Sequence, residues 1–182
     1  MNDLYIPNHE SWHLVMDFDG VFTDNLVYLN GFGEEFVQCS REDGMGLEML
    51  RIAKNRGYLN LLPFVVTRES GGPAEARCEK LRLRVFTGIR DKRKFLEEEI
   101  NKIQGFEAFD LSRTIYLGND INDIHVMQIC RISIAPRDAH PIAQQSATYI
   151  STSKSGGHGF IREVIDILLR SHITKLLEDL RK

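Results

Sequence analysis

The residues best suited to chemistry are Asp17 and Asp19, which follow the apolar run Leu14-Val15-Met16 and precede Gly20. If that run is a buried strand, Asp17 stands at its carboxyl end. Asp19, two residues on, then turns back to the same side before Gly20 bends the chain. Two carboxylates held together away from water repel, and keeping both as anions requires a cation, so the pair points to a divalent metal. An aspartate so placed can attack phosphorus while its neighbour gives a proton to the leaving alcohol and then takes one from water. That chemistry is covalent phosphoryl transfer. Magnesium held by the carboxylates would neutralise them and the substrate oxygens, Thr67 could hydrogen-bond the phosphate, and Lys92 would balance the charge of the transition state. Alone, an Asp-x-Asp pair is equally well explained as a turn or a helix cap; Thr67, Lys92 and Gly118-Asn119-Asp120-Ile121-Asn122-Asp123 downstream weigh against that reading.

The elements that must position these residues read as alternating strands and helices. After the opening strand, Leu26 to Asn30 and Glu35 to Gln38 flank Asn30-Gly31-Phe32-Gly33, a hairpin signal. Helical spacing of apolar residues runs from Asp43 to Arg56 and stops at Gly57. Leu61 to Val66 is a strand ending at Thr67, and a helix follows Gly71-Gly72-Pro73 to about Leu83. Val85 to Ile89 is a short strand, and Asp91 to Gln104 an amphipathic helix with Phe95, Leu96, Ile100 and Ile103 inward. Strands at Thr114 to Leu117, Ile132 to Ala135 and Ala147 to Ile150 complete the set, with a helix from about Asn122 to Cys130. The pattern predicts an α/β fold, a doubly wound parallel sheet whose site lies at the carboxyl ends of its strands. The segment Phe160 to Lys182 carries an apolar stripe through Ile161, Val164, Ile165, Leu168, Leu169, Ile173, Leu176, Leu177 and Leu180. It predicts one long helix, either ordinary core packing or partly a subunit contact.

Composition narrows the function classes. A chain of 182 residues, 42% hydrophobic and 27% charged, is the size of one domain with a substantial core. Its net charge of −3 gives no electrostatic reason to expect nucleic acid or an anionic membrane as partner. Neither a secretory signal nor a membrane-spanning apolar run is evident. Cys39, Cys78 and Cys130 lack metal or disulfide spacing, and fit reduced thiols in a cytoplasmic protein. The basic run from Lys80 to Lys94 reads as a solvated helix face around one catalytic lysine. Gly156-Gly157-His158-Gly159 reads either as a flexible loop or as an anion cradle. Arg41 and Arg68 lie beside the expected site loops and suit bidentate pairing with a carboxylate, or are surface residues. His13, His125 and His140 lack a metal spacing and read as structural.

With four motifs in this order across nearly the whole chain, the sequence resembles the haloacid dehalogenase superfamily of phosphatases. The resemblance implies a Rossmann-like haloacid dehalogenase fold in residues 1–182, with only a small β-hairpin insertion (about 26–39), no cap domain and a C-terminal helix (about 160–182). It implies Asp17 as nucleophile and metal ligand and Asp19 as general acid/base whose main-chain carbonyl also binds metal. Thr67 and Lys92 become the phosphate-binding pair, and Asn119, Asp120 and Asp123 the remaining Mg2+ site. Arg41-Glu42-Asp43-Gly44-Met45-Gly46, Asp138-Ala139-His140-Pro141 and Gly156 to Glu163 are similar to a capless branch. Its members include phosphatases of eight- and nine-carbon sugar acids and domains appended to acylneuraminate cytidylyltransferases. This implies a KDO- or sialic-acid-type sugar phosphate as substrate, His158 and Arg162 as further substrate contacts, and a homotetramer whose hairpins and tails close neighbouring sites. Where most active members carry an aspartate this chain has Asn119, whose amide oxygen can ligate magnesium but brings no charge, so metal affinity should fall. Asn119 and the C-terminal helix also motivate a rival reading, a weakly active or non-catalytic oligomerisation module working with a cytidylyltransferase. A phosphotransferase or mutase would share the nucleophile and use another acceptor.

Overall fold

A computed structural model describes residues 4–7 and 9–179. The central strand is β1 (Trp12–Met16), buried along its whole length. It pairs in parallel with β4 (Leu61–Val66) on one side and β6 (Thr114–Leu117) on the other. Outside these, β5 (Arg84–Phe86) joins β4, β7 (Ile132–Ala135) joins β6 and β8 (Tyr149–Ile150) joins β7. The six-stranded order is β5-β4-β1-β6-β7-β8. Chain order reverses direction on either side of β1, so the loops after β1, β4 and β6 open into one crevice.

Alternation along the strands divides the core. Leu14, Met16, Val65, Ile115 and Leu117 face one cluster, covered by α1 (Arg41–Asn55), α2 (Pro73–Leu81) and α6 (Phe160–Leu169). Val15, Phe64, Val66 and Tyr116 face the other, covered by the helical stretch that starts at α3 (Lys92–Lys94), by α4 (Ile124–Ile129) and by α5 (Pro141–Ser146). Leu14, Val15 and Met16 are each fully buried, a stabilisation of about 1.5–3 kcal/mol per side chain that pins the register of β1 and hence the position of Asp17.

Several elements depart from the sequence reading. The hairpin is shorter, pairing only β2 (Tyr28–Leu29) with β3 (Glu35–Phe36). Its turn is held by Asn30 Oδ1, which accepts from Phe32 N and Glu34 N at 2.9 and 3.0 Å. The helix expected over 91–104 widens after α3 into a π turn at Phe95–Glu99 and tightens into a 3-10 turn at Ile100–Lys102. This change of pitch brings Phe95, Leu96 and Ile100 to the same core. The C-terminal stripe is not one helix: α6 ends at Leu169, and α7 (Ile173–Asp179) follows a turn in which His172 N donates to Leu169 O. A straight helix would carry the stripe off the sheet; the break folds Leu176 back into the chain's own core, and Tyr58 stacks on His172. Leu180 and the expected helix end lie outside the described residues, as do residues 1–3 of the N-terminal segment. Helix α5, with His140 Nδ1 accepting from Ile142 N, was not anticipated. Among the described residues no helix is long and apolar enough to cross a membrane.

Candidate active site

Each chemical residue sits where a strand runs out. Asp17 continues the ladder of β1, its N–H donating to Leu117 O at 2.9 Å, and is only 4% exposed. The chain then turns once: Phe22 N donates to Phe18 O, and Gly20 takes a left-handed φ of 74°. Thr23 Oγ1 ties this turn, accepting from Gly20 N at 3.1 Å and donating to Asp19 Oδ1 at 3.4 Å. Thr67 follows β4, buried, with its N–H on Phe86 O. Lys92 opens α3 behind the cap Asp91, whose side chain accepts from Lys94 N.

Lys92 is the hub. Although a lysine, it is 2% exposed, and its Nζ lies 2.7 Å from Asp17 Oδ1 and 2.8 Å from Asp123 Oδ1. Asp123 is wholly buried and takes four donors. Oδ1 accepts from Lys92 Nζ and from Tyr116 OH at 2.6 Å; Oδ2 accepts from Asn119 N at 2.9 Å and Asp120 N at 3.2 Å. Both oxygens are therefore committed to the protein, and Asp123 lies beneath the cleft rather than on its wall. The expected metal residue is placed as the anchor of Lys92 and of the 118–120 loop, because a fully buried carboxylate is stable only when its lone pairs are matched.

The electrostatics follow from one ammonium shared by two buried carboxylates. Burial, reinforced by the neighbouring Asp123, pushes the Asp17 carboxyl up to about 7 against the pull of Lys92. Burial would also raise Asp123, but Lys92 and the bonds from Lys92 and Tyr116 outweigh it and hold that carboxyl below its usual value. Burial opposes the charge on Lys92, yet Asp17 and Asp123 together raise it above the ordinary lysine value. Asp19 is raised by burial and then by Glu69. The single buried ammonium of Lys92 serves two buried carboxylates, with Asp19 a third carboxylate on the same cleft. A cation fits here: Asp17 offers a carboxylate on the cleft wall, and Asn119 an Oδ1 that is buried with no hydrogen-bond partner. The Asn119 side chain lies directly over Gly20, where an added Cβ would come within 1.9 Å of Nδ2. Among the described residues no three His, Cys, Asp or Glu side chains cluster as a metal site.

Above Lys92 opens a cleft of about 690 Å³, lined by Asp17, Asp19, Thr67, Arg68, Lys92, Asn119 and Asp120 among others. Asp120 reaches it while its Oδ1 caps Ile121 N at 2.7 Å. Of the four expected substrate contacts only Arg68 lines this cleft. Arg41 is exposed at the start of α1. His158 is exposed outside the cleft wall. Arg162 turns to Asp166, with Nε on both carboxylate oxygens at 2.8 and 2.9 Å, and borders a separate depression with Glu42 and Lys154. The reason is helix capping: Gly159 has no side chain to cap α6, and Asp43 supplies the acceptor instead, taking Arg162 N at 2.9 Å.

The glycine-rich loop is packed rather than flexible. Gly157 N donates to Val21 O, Gly156 N donates to Asp138 Oδ1, and a Cβ on Gly156 would lie 2.0 Å from Gly20 O. His140 N in turn donates to Asn119 O at 2.8 Å. The segments 138–141 and 156–159 thus brace the loops that carry Asp17, Asp19 and Asn119. Sequence reasoning missed Tyr116, whose signal was a single hydroxyl in an aliphatic strand. It also missed Glu69, Arg90 and His125 on the cleft wall, which carried no distinctive spacing.

Comparison with known proteins agrees with this geometry. Residues 87–164 match the haloacid dehalogenase-like hydrolase family. A 3-deoxy-D-manno-octulosonate 8-phosphate phosphatase of Salmonella typhi is 31% identical over 157 residues, spanning 86% of this chain and 78% of that protein. Its counterpart in Escherichia coli K12 is 30% identical over the same spans. Among solved structures, the Yersinia pestis phosphatase superposes with a TM-score of 0.76 at 28% identity, covering 88% of this chain and 82% of the other. The Moraxella catarrhalis phosphatase, in complex with magnesium ion, phosphate ion and KDO, superposes at 0.77 with 25% identity, covering 88% and 87%. With motifs, sheet order and relatives in agreement, the chain belongs to the haloacid dehalogenase-like hydrolases.

Proposed function

We propose that this chain is a magnesium-dependent phosphomonoesterase that hydrolyses an eight- or nine-carbon ulosonic acid phosphate through an aspartyl-phosphate on Asp17. The observation that carries the reading is the buried ammonium of Lys92, suspended between Asp17 and Asp123 on the floor of a cleft that Thr67 also lines. Lys92 and Phe18 N both bond to Asp17 Oδ1, which leaves Oδ2 to attack phosphorus. Thr67 and Lys92 hold phosphoryl oxygens, and Asp19 protonates the departing sugar oxygen, then takes a proton from the water that attacks the acyl phosphate. The raised carboxyl of Asp19 suits the first of these tasks. Asp17, the Asp19 carbonyl and Asn119 Oδ1 would hold magnesium beside Asp120, and the ion would supply positive charge against the carboxylates and the phosphoryl oxygens.

The Salmonella and Moraxella relatives support an octulosonate-type substrate, with sialic-acid-type phosphates as the nine-carbon alternative. The exposed Leu26, Val27, Tyr28, Leu29 and Phe32 of the hairpin support a homo-oligomer, read here as a tetramer, in which hairpins meet neighbouring subunits. The neutral ligand Asn119 favours a second reading, a slow enzyme or a partner of a cytidylyltransferase. The test is phosphate release from octulosonate 8-phosphate and other sugar phosphates, with magnesium or chelator. Release by wild type that is lost with chelator and in Asp17→Asn supports the first reading; no release under any condition contradicts it.

A further inference from the structure

The mouth of the cleft is electrically divided. On the hairpin side it continues into a hollow of about 520 Å³ that shares Asp19, Asn25 and Glu69 with the cleft. This hollow is lined also by Val27, Glu35 and Val37, and among the described residues no lysine or arginine lines it. On the other side stand Arg68, Arg90, Lys92 and Arg93. Lys92 gives two of its three N–H donors to Asp17 and Asp123 and the third to the phosphoryl group in the proposed reaction, and Arg93 Nε bonds to Glu97 at 2.9 Å. Arg68 and Arg90 are exposed and have no ion-pair partner among the described residues.

The loops that carry Arg68 and Arg90 are joined by backbone bonds, and both arginines line the same cleft. Ile89 N donates to Thr67 O at 3.0 Å and Gly88 N to Glu69 O at 2.7 Å. Arg68 follows Thr67 and Arg90 follows Ile89, so both flank the expected phosphate ligand on adjoining loops. Glu69, one residue past Arg68 in the bend after β4, lines both the cleft and the hairpin-side hollow, whereas Arg68 lines the cleft alone.

We propose that Arg68 and Arg90 together receive a second anionic group, a carboxylate, on the leaving portion of the substrate, while the hollow beside Glu35 and Glu69 takes its hydroxyls. Guanidinium groups match carboxylates bidentately, and carboxylates accept from hydroxyls. The opposite placement would set an acid against Asp19, Glu35 and Glu69, in a hollow that neither Arg68 nor Arg90 lines. This assignment rests on the phosphatase reading and adds Arg90, which had been counted with the solvated basic face.

The experiment compares kcat/KM for octulosonate 8-phosphate with that for para-nitrophenyl phosphate, which has no second anion, in wild type, Arg68→Gln and Arg90→Gln. Losing a charge-assisted pair should lower the ratio of the two by about tenfold to a hundredfold, mainly through KM for the acidic ester. An equal fall for both esters, or no fall, overturns the assignment. If wild type hydrolyses neither ester, the phosphatase reading fails by itself. Calorimetric binding of free octulosonate then decides the carboxylate receptor: at least tenfold weaker binding in Arg90→Gln sustains it, and equal binding overturns it.

Discussion

Replacing Asp123 with asparagine keeps its shape and removes its charge. Asp123 accepts two donors on each oxygen: Lys92 and Tyr116 on one, the N–H groups of Asn119 and Asp120 on the other. Asparagine must turn its own NH2 toward one of these pairs, so two buried donors lose their acceptor, and Lys92 keeps a single anion. Breaking one half of a buried, matched ion pair costs about 3–5 kcal/mol, out of the ~5–15 kcal/mol that stabilises a typical domain. Tyr116→Phe removes only one neutral donor and should cost about 1 kcal/mol. Freed from Asp123, Lys92 also leaves its position beside Asp17, and a displacement of an ångström at a reacting group lowers turnover by about a hundredfold. Urea denaturation and phosphate release measure the two effects. If Asp123→Asn unfolds within about 1 kcal/mol of wild type and retains activity within about tenfold, Asp123 is not the anchor of Lys92.

Three further outcomes are expected. Gly156→Ala should lower the melting temperature and turnover together, because its Cβ would fall 2.0 Å from the Gly20 carbonyl and must displace the turn that carries Asp19; an overpacking cost of about 1–3 kcal/mol applies, and unchanged melting would show that the loop yields freely. Asn119→Asp should tighten magnesium binding by about tenfold in calorimetric titration, since it adds a charge to the metal-facing set; unchanged affinity would remove Asn119 from that set. His13 is held down to about 4, from 6.5, by burial and then by Arg113. The fold therefore favours its neutral ring, and this contribution is complete above pH 6.5 and is lost as pH falls toward 4. In urea, His13→Phe should flatten the loss of stability over that interval, and an unchanged slope would count against it.

The sequence carried the fold and the placement of its chemistry well, because both depend on local pattern. Apolar runs ending in Asp17, Thr67 and Gly118 mark strand ends, and a doubly wound sheet gathers strand ends on one edge. It failed where the outcome depended on which side of a loop a residue faces. Arg162 was expected at the substrate and lies against Asp166, because the need to cap α6 fixed its backbone on Asp43. The glycine run was expected to move or to grip an anion, and instead lets two backbones touch behind the site. Asp123 shares the Asn119–Asp120 motif, yet the 3-10 turn at Ile121–Asp123 turns it inward to Lys92. The break at 170–172 had no proline or glycine to announce it, since it is set by where Leu176 can be buried.

If Asp17 is the nucleophile, it becomes phosphorylated during turnover. Acid-quenching the enzyme during steady-state turnover of octulosonate 8-phosphate with magnesium, followed by peptide mass spectrometry, tests it directly. A peptide containing Asp17 heavier by one phosphoryl group, present in wild type and missing in Asp17→Asn, is the predicted result. Turnover with phosphate on another residue, or undiminished turnover by Asp17→Asn, would contradict it.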